Sequence, residues 1–292
     1  MSNAFPYKLA DHTLVLGNDH FRHFLVGEDQ DLMIECGVTA SARLFVKQLA
    51  DAGGHGPDKL LAMHAHFDHV CGIPELKRHF PKAEVLASPM AAKVLDNPKV
   101  IRGFFDQDRQ IPGADTGELP WQDRIAVDRT VTGGESIVLK DGSILELMDA
   151  PGHSPCGLAA WYERDRVLFV SDALGFQSSD EMIFPVFFHD FHAYMDTIDR
   201  LGTYPAEILA FPHERIWGGK DVAAVFSRAL TTAQKIRDEV IAAADKGQDL
   251  PELEKVLFNR VYQGNLRIYS PENIRLCVNL LVRRSMESRE ER

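Results

Sequence analysis

Short apolar runs separated by turn residues dominate the first 37 positions. Thr13-Leu14-Val15-Leu16, Phe24-Leu25-Val26 and Leu32-Met33-Ile34 read as consecutive antiparallel strands. The period then lengthens to that of a helix. Thr39 or Ser41 can cap it, Leu44, Phe45 and Leu49 point inward, and Gly53-Gly54 ends it. Residues 59–63 are continuously apolar after Lys59 and predict a buried strand. Pro74 suits the first turn of a short helix reaching Phe80. Residues 84–87 predict another strand, and Ser88-Pro89 opens a helix that should stop before Pro98.

Residues 98–128 lose this regularity. They hold Pro112, Pro120, glycines and many charges, and predict an excursion from the core. The strand rhythm resumes at Val131. Asp141-Gly142 between residues 136–140 and 144–148 is a strong hairpin signal. Residues 158–162 and 167–170 predict a second hairpin across Arg164-Asp165. Asp190 can cap a helix with Phe191, Tyr194, Met195, Ile198 and Leu201 on one stripe, and residues 208–211 predict a last strand. After Gly218-Gly219 the pattern turns helical. Val222, Val225, Phe226, Ala229, Ile236 and Val240 keep helical spacing, and Ser270-Pro271 starts another helix through Leu281. The expected organisation is residues 1–220 as one strand-rich domain and residues 221–292 as a helical cap.

Metal-type side chains recur where apolar strands end. His64-Ala65-His66-Phe67-Asp68-His69 follows the oily run at 59–63. Alternate residues of an extended chain share a face, so His64 and His66 can converge. Asp68 and His69 come one loop step later and can face a second point nearby. His153 lies in Pro151-Gly152-His153-Ser154, Asp172 in Ser171-Asp172-Ala173, and His213 after Phe211-Pro212. Imidazole and carboxylate are ligands for zinc, iron or manganese alike. The other histidines read differently. His12, His20, His23, His55 and His79 are expected at the surface or satisfied by polar neighbours. His189 and His192 sit at a loop and a helix start, facing either the pocket or ordinary packing.

The six-residue cluster resembles the H-x-H-x-D-H signature of metallo-β-lactamase-fold hydrolases. Pro151-Gly152-His153-Ser154 is similar to that family's P-G-H-S/T motif, Ser171-Asp172 to its aspartate motif, and His213 to its last histidine. The resemblance covers residues 13 to 219. It implies an α+β four-layer αββα sandwich, here with a helical C-terminal extension. It also implies two divalent ions (Zn, Fe or Mn) per chain: His64, His66 and His153 on one, Asp68, His69 and His213 on the other, with Asp172 bridging. Glu35 stands where many members carry aspartate, and would support the ligands by hydrogen bonding. The implied chemistry is hydrolysis by a water activated between the metals, with Asp68 as the catalytic group that orients that water or shuttles its proton.

The bridging Asp172 points toward glyoxalase-II-like thioesterases and lactone hydrolases rather than toward classical zinc β-lactamases. Residues 85–88 and 171–175 and the helical tail resemble quinolone-signal response thioesterases, in which a helical cap closes over a metal pair read as iron. The expected substrate is a small thioester or a related ester or lactone. Two rivals stand beside this expectation. One is a persulfide dioxygenase using a single iron on His64, His153 and Asp172. The other is a metal-bearing regulatory module with incidental hydrolysis. The aromatic run at 182–189 raises a pocket wall of Phe184, Phe187, Phe188 and His189, or alternatively packing between the sheets and the tail.

Composition narrows the classes. Asp and Glu number 43 against 32 Lys and Arg, a formal net charge of −11. That balance repels phosphate backbones, so no nucleic-acid partner is expected. No apolar run suits a membrane span. The N-terminus does not read as a signal peptide, and Cys36, Cys71, Cys156 and Cys277 show no paired spacing. A cytoplasmic location with free thiols is the expectation. Cys71 and Cys156 flank the motifs and are expected as small buried residues rather than ligands. The tail helices can serve as a cap over the site or as a homodimer surface.

Overall fold

Along each central strand, successive apolar residues enter two different cores. Val15, Phe24, Leu61, Leu86, Ala160 and Phe169 join one buried cluster. Their chain neighbours Leu16, Leu25, Leu60, Val85, Ala159 and Leu168 join another. Side chains alternate across a strand, so a strand apolar at every position must be covered on both faces. Here one face meets a second sheet and the other meets helices.

A computed structural model describes residues 4–112, 122–178 and 182–289. Strands β1 (Tyr7–Ala10), β2 (Thr13–Gly17), β3 (Arg22–Val26), β4 (Leu32–Ile34), β5 (Lys59–Leu61), β6 (Glu84–Ala87) and β7 (Arg129–Thr130) form one sheet in that order. β1 to β4 pair antiparallel and β4 to β7 parallel. Helix α1 (Thr39–Asp51) links β4 to β5. Helices α2 (Phe67–Val70) and α3 (Ile73–His79) link β5 to β6, and α4 (Pro89–Leu95) and α5 (Pro98–Asp108) precede β7. Parallel neighbours require such crossovers, which lay helices over the sheet.

The second sheet contains β8 (Ser136–Val138), β9 (Ile144–Asp149), β10 (Leu158–Tyr162) and β11 (Val167–Phe169). A short hairpin of β12 (Phe176–Gln177) and β13 (Ile183–Phe184) lies apart from it. Helix α6 (Phe191–Leu201) then returns the chain to β14 (Ile208–Ala210), parallel to β11, and β15 (Trp217–Gly218) closes the edge. Between the sheets the Phe24 and Phe169 rings meet edge to face at 5.2 Å. Such a pair contributes about 0.5–1.5 kcal/mol beyond its buried area. Helices α7 (Asp221–Asp245), α8 (Leu250–Val261) and α9 (Pro271–Glu287) complete the chain and pack into the same apolar cluster as α1 and α6. The layers are those of the expected αββα sandwich with C-terminal helices. Among the described residues no helix is long and apolar enough to cross a membrane.

Several expectations need correction. The excursion expected at 98–128 begins with α5, while residues 113–121 lie outside the described part. Asn97 caps α5 by accepting from the Lys99 N–H, Pro98 occupies the tolerated first turn, and Ile101 and Phe105 are buried. Proline there starts a helix instead of breaking one. Neither Thr39 nor Ser41 caps α1. Val38 holds that position, and the Ser41 hydroxyl accepts from its N–H at 3.1 Å. Leu44 is only half-buried on that helix. β1 and β15 are short edge strands whose sequences carry too few alternations to announce themselves.

Candidate metal centre

The seven expected ligands meet at one end of the sandwich. β5 delivers the His64 cluster. The turn from β9 to β10 delivers His153, the segment after β11 delivers Asp172, and the segment after β14 delivers His213. Strand ends are rigid, and the loops that follow them are free to turn a side chain inward.

Two groups of nitrogens and oxygens face each other. His153 Nε2 lies 2.9 Å from His66 Nδ1 and 3.2 Å from His64 Nε2, and His64 Nε2 lies 3.1 Å from His66 Nδ1. Beside this triad, His69 Nε2 is 3.3 Å from His213 Nε2 and 3.8 Å from Asp68 Oδ1. Asp172 stands between them. Its Oδ2 is 3.4 Å from both His153 and His69, and its Oδ1 is 3.7 Å from His213. The sets His64/His66/His153, His64/His69/Asp172 and Asp68/His69/His213 each bring their ligand atoms within 4.8 Å of one another.

The outward nitrogens decide what the inward ones can do. His153 Nδ1 donates to the Val186 carbonyl at 2.8 Å, and His213 Nδ1 to the His20 carbonyl at 2.7 Å. His69 Nδ1 donates to Glu35 Oε2 at 2.7 Å. Carbonyls and carboxylates accept only, so each of these imidazoles in its neutral form presents a bare lone pair at Nε2. Ser171 donates to Glu35 Oε1 at 2.7 Å and lies 3.2 Å from His64 Nδ1. Glu35 therefore holds two of the imidazoles, one directly and one through Ser171. Both Glu35 (φ 67°) and Ser171 (φ 47°) adopt left-handed backbone, which costs about 1–3 kcal/mol per residue and persists only where the surroundings enforce it.

Converging lone pairs repel unless a cation lies between them, so the donor set fits divalent metal. Burial, reinforced by the adjacent imidazoles, holds His64 well below the ordinary histidine range. Burial and His153 push His66 down to about 3, and burial lowers His153. His69 is the exception. Burial opposes its charge, but the carboxylates of Glu35, Asp172 and Asp68 outweigh burial and raise it. Burial alone would raise Asp172; His69 first, then His153 and His213, hold it well below the carboxylate range.

One residue at this centre escaped the motif. Tyr269 precedes α9, and its hydroxyl donates to Asp68 Oδ2 at 2.7 Å. Burial first, then Asp68 and Asp172, raise its pKa well above the ordinary tyrosine value, so it is a neutral donor. A tyrosine in a polar tail carries no spacing signal that could have revealed this contact.

The cluster floors a cavity of about 420 Å³. Phe184, Phe188 and His189 line it. Phe187 does not. It is fully buried and packs against Phe191 and Tyr194, with ring centroids 5.1 and 5.9 Å away. Successive residues of an extended segment point to opposite sides, so Phe187 serves the α6 core while Phe188 serves the cavity. His192 approaches the Ser288 carbonyl instead. His12, His20 and His79 lie against Asp165, Glu214 and Glu75, and His55 is exposed. Cys71 and Cys156 are buried, and among the described residues neither belongs to a group of metal-type ligands.

Known proteins share this frame. An archaeal metallo-beta-lactamase superfamily protein, ST1585 of Sulfolobus tokodaii, superposes with a TM-score of 0.59 at 19% identity, covering 76% of this chain and 85% of its own. A Cronobacter sakazakii metallo-beta-lactamase carrying a mutated HARLDQ motif gives a TM-score of 0.61 at 18% identity, over 85% of this chain and 100% of its own. These likenesses establish the fold. In sequence, the uncharacterized protein YobT of Bacillus subtilis is 28% identical over 151 residues, 51% of this chain. A hydroxyacylglutathione hydrolase of Methylobacterium nodulans is 30% identical over 116 residues, 39% of this chain. The matched stretches span 60% and 33% of those two relatives' own lengths. The family model described as the metallo-beta-lactamase superfamily matches residues 23–213, and so runs through all seven clustered side chains. The chain belongs to the metallo-beta-lactamase superfamily, a family of mostly metal-dependent hydrolases.

Proposed function

We propose that this protein hydrolyses a thioester, or a related ester or lactone, with two divalent cations held by the seven clustered side chains. The observation that carries this reading is the second triad. Asp68, His69 and His213 bring their ligand atoms within 4.8 Å of one another, as His64, His66 and His153 do, and Asp172 lies within 4 Å of both sets. A one-iron oxygenase needs only His64, His153 and Asp172, so an assembled second triad supports the dinuclear hydrolase over that rival. A divalent pair, when bound, polarises a carbonyl oxygen and lowers the pKa of water toward neutrality.

The chain's own groups supply the rest. His64, His66 and His153 would hold one cation, Asp68, His69 and His213 the other, and Asp172 would lie between. Tyr269 donates to Oδ2 of Asp68 and fixes the carboxylate, whose remaining lone pairs would hold the second cation, orient the attacking water and accept its proton. The cavity beside these groups is lined mainly by carbon. The sequence relative named hydroxyacylglutathione hydrolase is consistent with a thioester substrate, and the β-lactamase neighbours keep β-lactams among the compounds to be tried.

The test is a hydrolysis screen of zinc-, iron- and manganese-loaded protein against acyl thioesters, aryl esters, lactones, a β-lactam and a phosphodiester. Cleavage of a thioester or ester that is lost on chelation is expected. Turnover of the β-lactam or phosphodiester alone, or oxygen uptake with a persulfide, would replace the reading.

A further inference from the structure

Helix α9 is apolar on two sides at once. Val278, Leu281 and Val282 are buried where it packs on α7 and α8. On the opposite side Asn273, Leu276, Cys277, Leu280 and Arg284 recur at helical steps and line the cavity above the metal-type cluster. Leu276 is 54% exposed. A helix that had only to cover α7 and α8 would carry polar residues there. Across the cavity stand Phe176, Phe184 and Phe188.

Most polar groups around the same space already have partners, the exposed imidazole of His189 apart. Asn273 Nδ2 donates to Gln107 Oε1 at 2.6 Å, and Tyr269 to Asp68. Arg284, the cation among the lining residues, donates through Nε to the Phe188 carbonyl at 3.1 Å and through its guanidinium to Glu287. A ligand entering past the ligand cluster therefore meets mostly carbon. A carboxylate or hydroxyl placed there would lose its water without recovering hydrogen bonds, which disfavours it strongly. The volume of about 420 Å³ exceeds what an acetyl group would fill and lies within the range of small-molecule sites.

We infer that the site selects an uncharged, medium-length hydrocarbon acyl group, laid between α9 and Phe184/Phe188 with its carbonyl over His66 and Asp172. This rests on the hydrolase reading and adds to it the substrate class and the residues that set it, Leu276 and Leu280.

A series of N-acetylcysteamine thioesters from acetyl to decanoyl tests it on the metal-loaded full chain. Burying a methylene is worth roughly a fourfold change in kcat/KM, so the series should climb by about that factor per carbon until the cavity is full. A glutaryl thioester should be cleaved about tenfold or more slower than the pentanoyl one. Leu276→Asp, at an exposed position that cannot unfold the core, and Leu280→Asp should each flatten the climb by about tenfold. A flat or falling series with measurable turnover would overturn the inference and leave the hydrolase reading standing. Should no thioester or ester be cleaved, the hydrolase reading fails instead. Calorimetry with octanoate against acetate then decides the cavity: preferential octanoate binding lost in Leu280→Asp supports the inference, and equal or no binding overturns it.

Discussion

Tyr269 donates a hydrogen bond to Asp68 across 201 positions of sequence, and joins the helical tail to the centre of the metal-ligand cluster. The tyrosine ring is itself held edge-on by Phe21, Phe67 and Phe176. Tyr269→Phe keeps those ring contacts and removes only the hydroxyl. Partners of this kind typically matter by about 10–100-fold in activity or metal affinity. We expect kcat to fall within that range with KM for an apolar thioester nearly unchanged. Steady-state kinetics beside a cobalt titration would check it. A variant with normal kcat and normal metal affinity would show that the contact is only structural.

Glu35 carries two hydrogen bonds to the cluster, one to His69 and one to Ser171. Glu35→Gln keeps the shape but loses the charge that draws both donors. It also turns one acceptor oxygen into a donor facing a donor. Metal affinity should drop by about 10–100-fold, and the apo chain should lose about 1–3 kcal/mol of stability from the buried donor left unsatisfied. Competition against a chromogenic chelator reads this directly.

Gly152 has φ 120°, and a Cβ there would sit 2.3 Å from the backbone N and Cα of Tyr194. Helix α6 and the His153 loop can approach so closely only without a side chain. Gly152→Ala should cost several kcal/mol or prevent folding, since backbone must move. Any folded fraction should bind metal poorly because His153 is displaced. Thermal denaturation and metal content together would test this.

Much of this architecture was legible in the chain. The strand runs at 13–16, 32–34 and 158–162 and the helical spacing over 221–245 follow from period and turn residues alone. The clustering of the histidines was legible because metal-type residues recur where apolar strands end. Tyr269 was not, since a contact between segments 201 residues apart leaves no local period. Phe187 and Phe188 looked alike in an aromatic run, and only the direction of the backbone separates a core residue from a cavity wall. His23 was expected at the surface or satisfied by neighbours. It lies fully buried on β3, because its Nδ1 bonds the Glu35 carbonyl at 2.9 Å, while among the described residues its Nε2 has no partner.

That burial has a pH consequence. Burial lowers the pKa of His23 from 6.5 to about 4. Between these values the unfolded chain binds a proton that the folded one refuses, so stability rises with pH across that window. The contribution is complete above pH 6.5 and is lost as pH falls toward 4, at up to about 1.4 kcal/mol per pH unit. Urea unfolding of apo wild type and His23→Gln between pH 4.5 and 7.5 should give a smaller slope for the variant. Identical slopes would assign the acid sensitivity to other groups.

The central claim is that seven side chains hold two cations. Anomalous diffraction at the metal absorption edge, on crystals of metal-loaded protein, tests it most directly. Two peaks per chain are predicted, one enclosed by His64, His66 and His153 and one by Asp68, His69 and His213, with Asp172 between them. A lone peak on His64, His153 and Asp172, or peaks away from all seven residues, would contradict it.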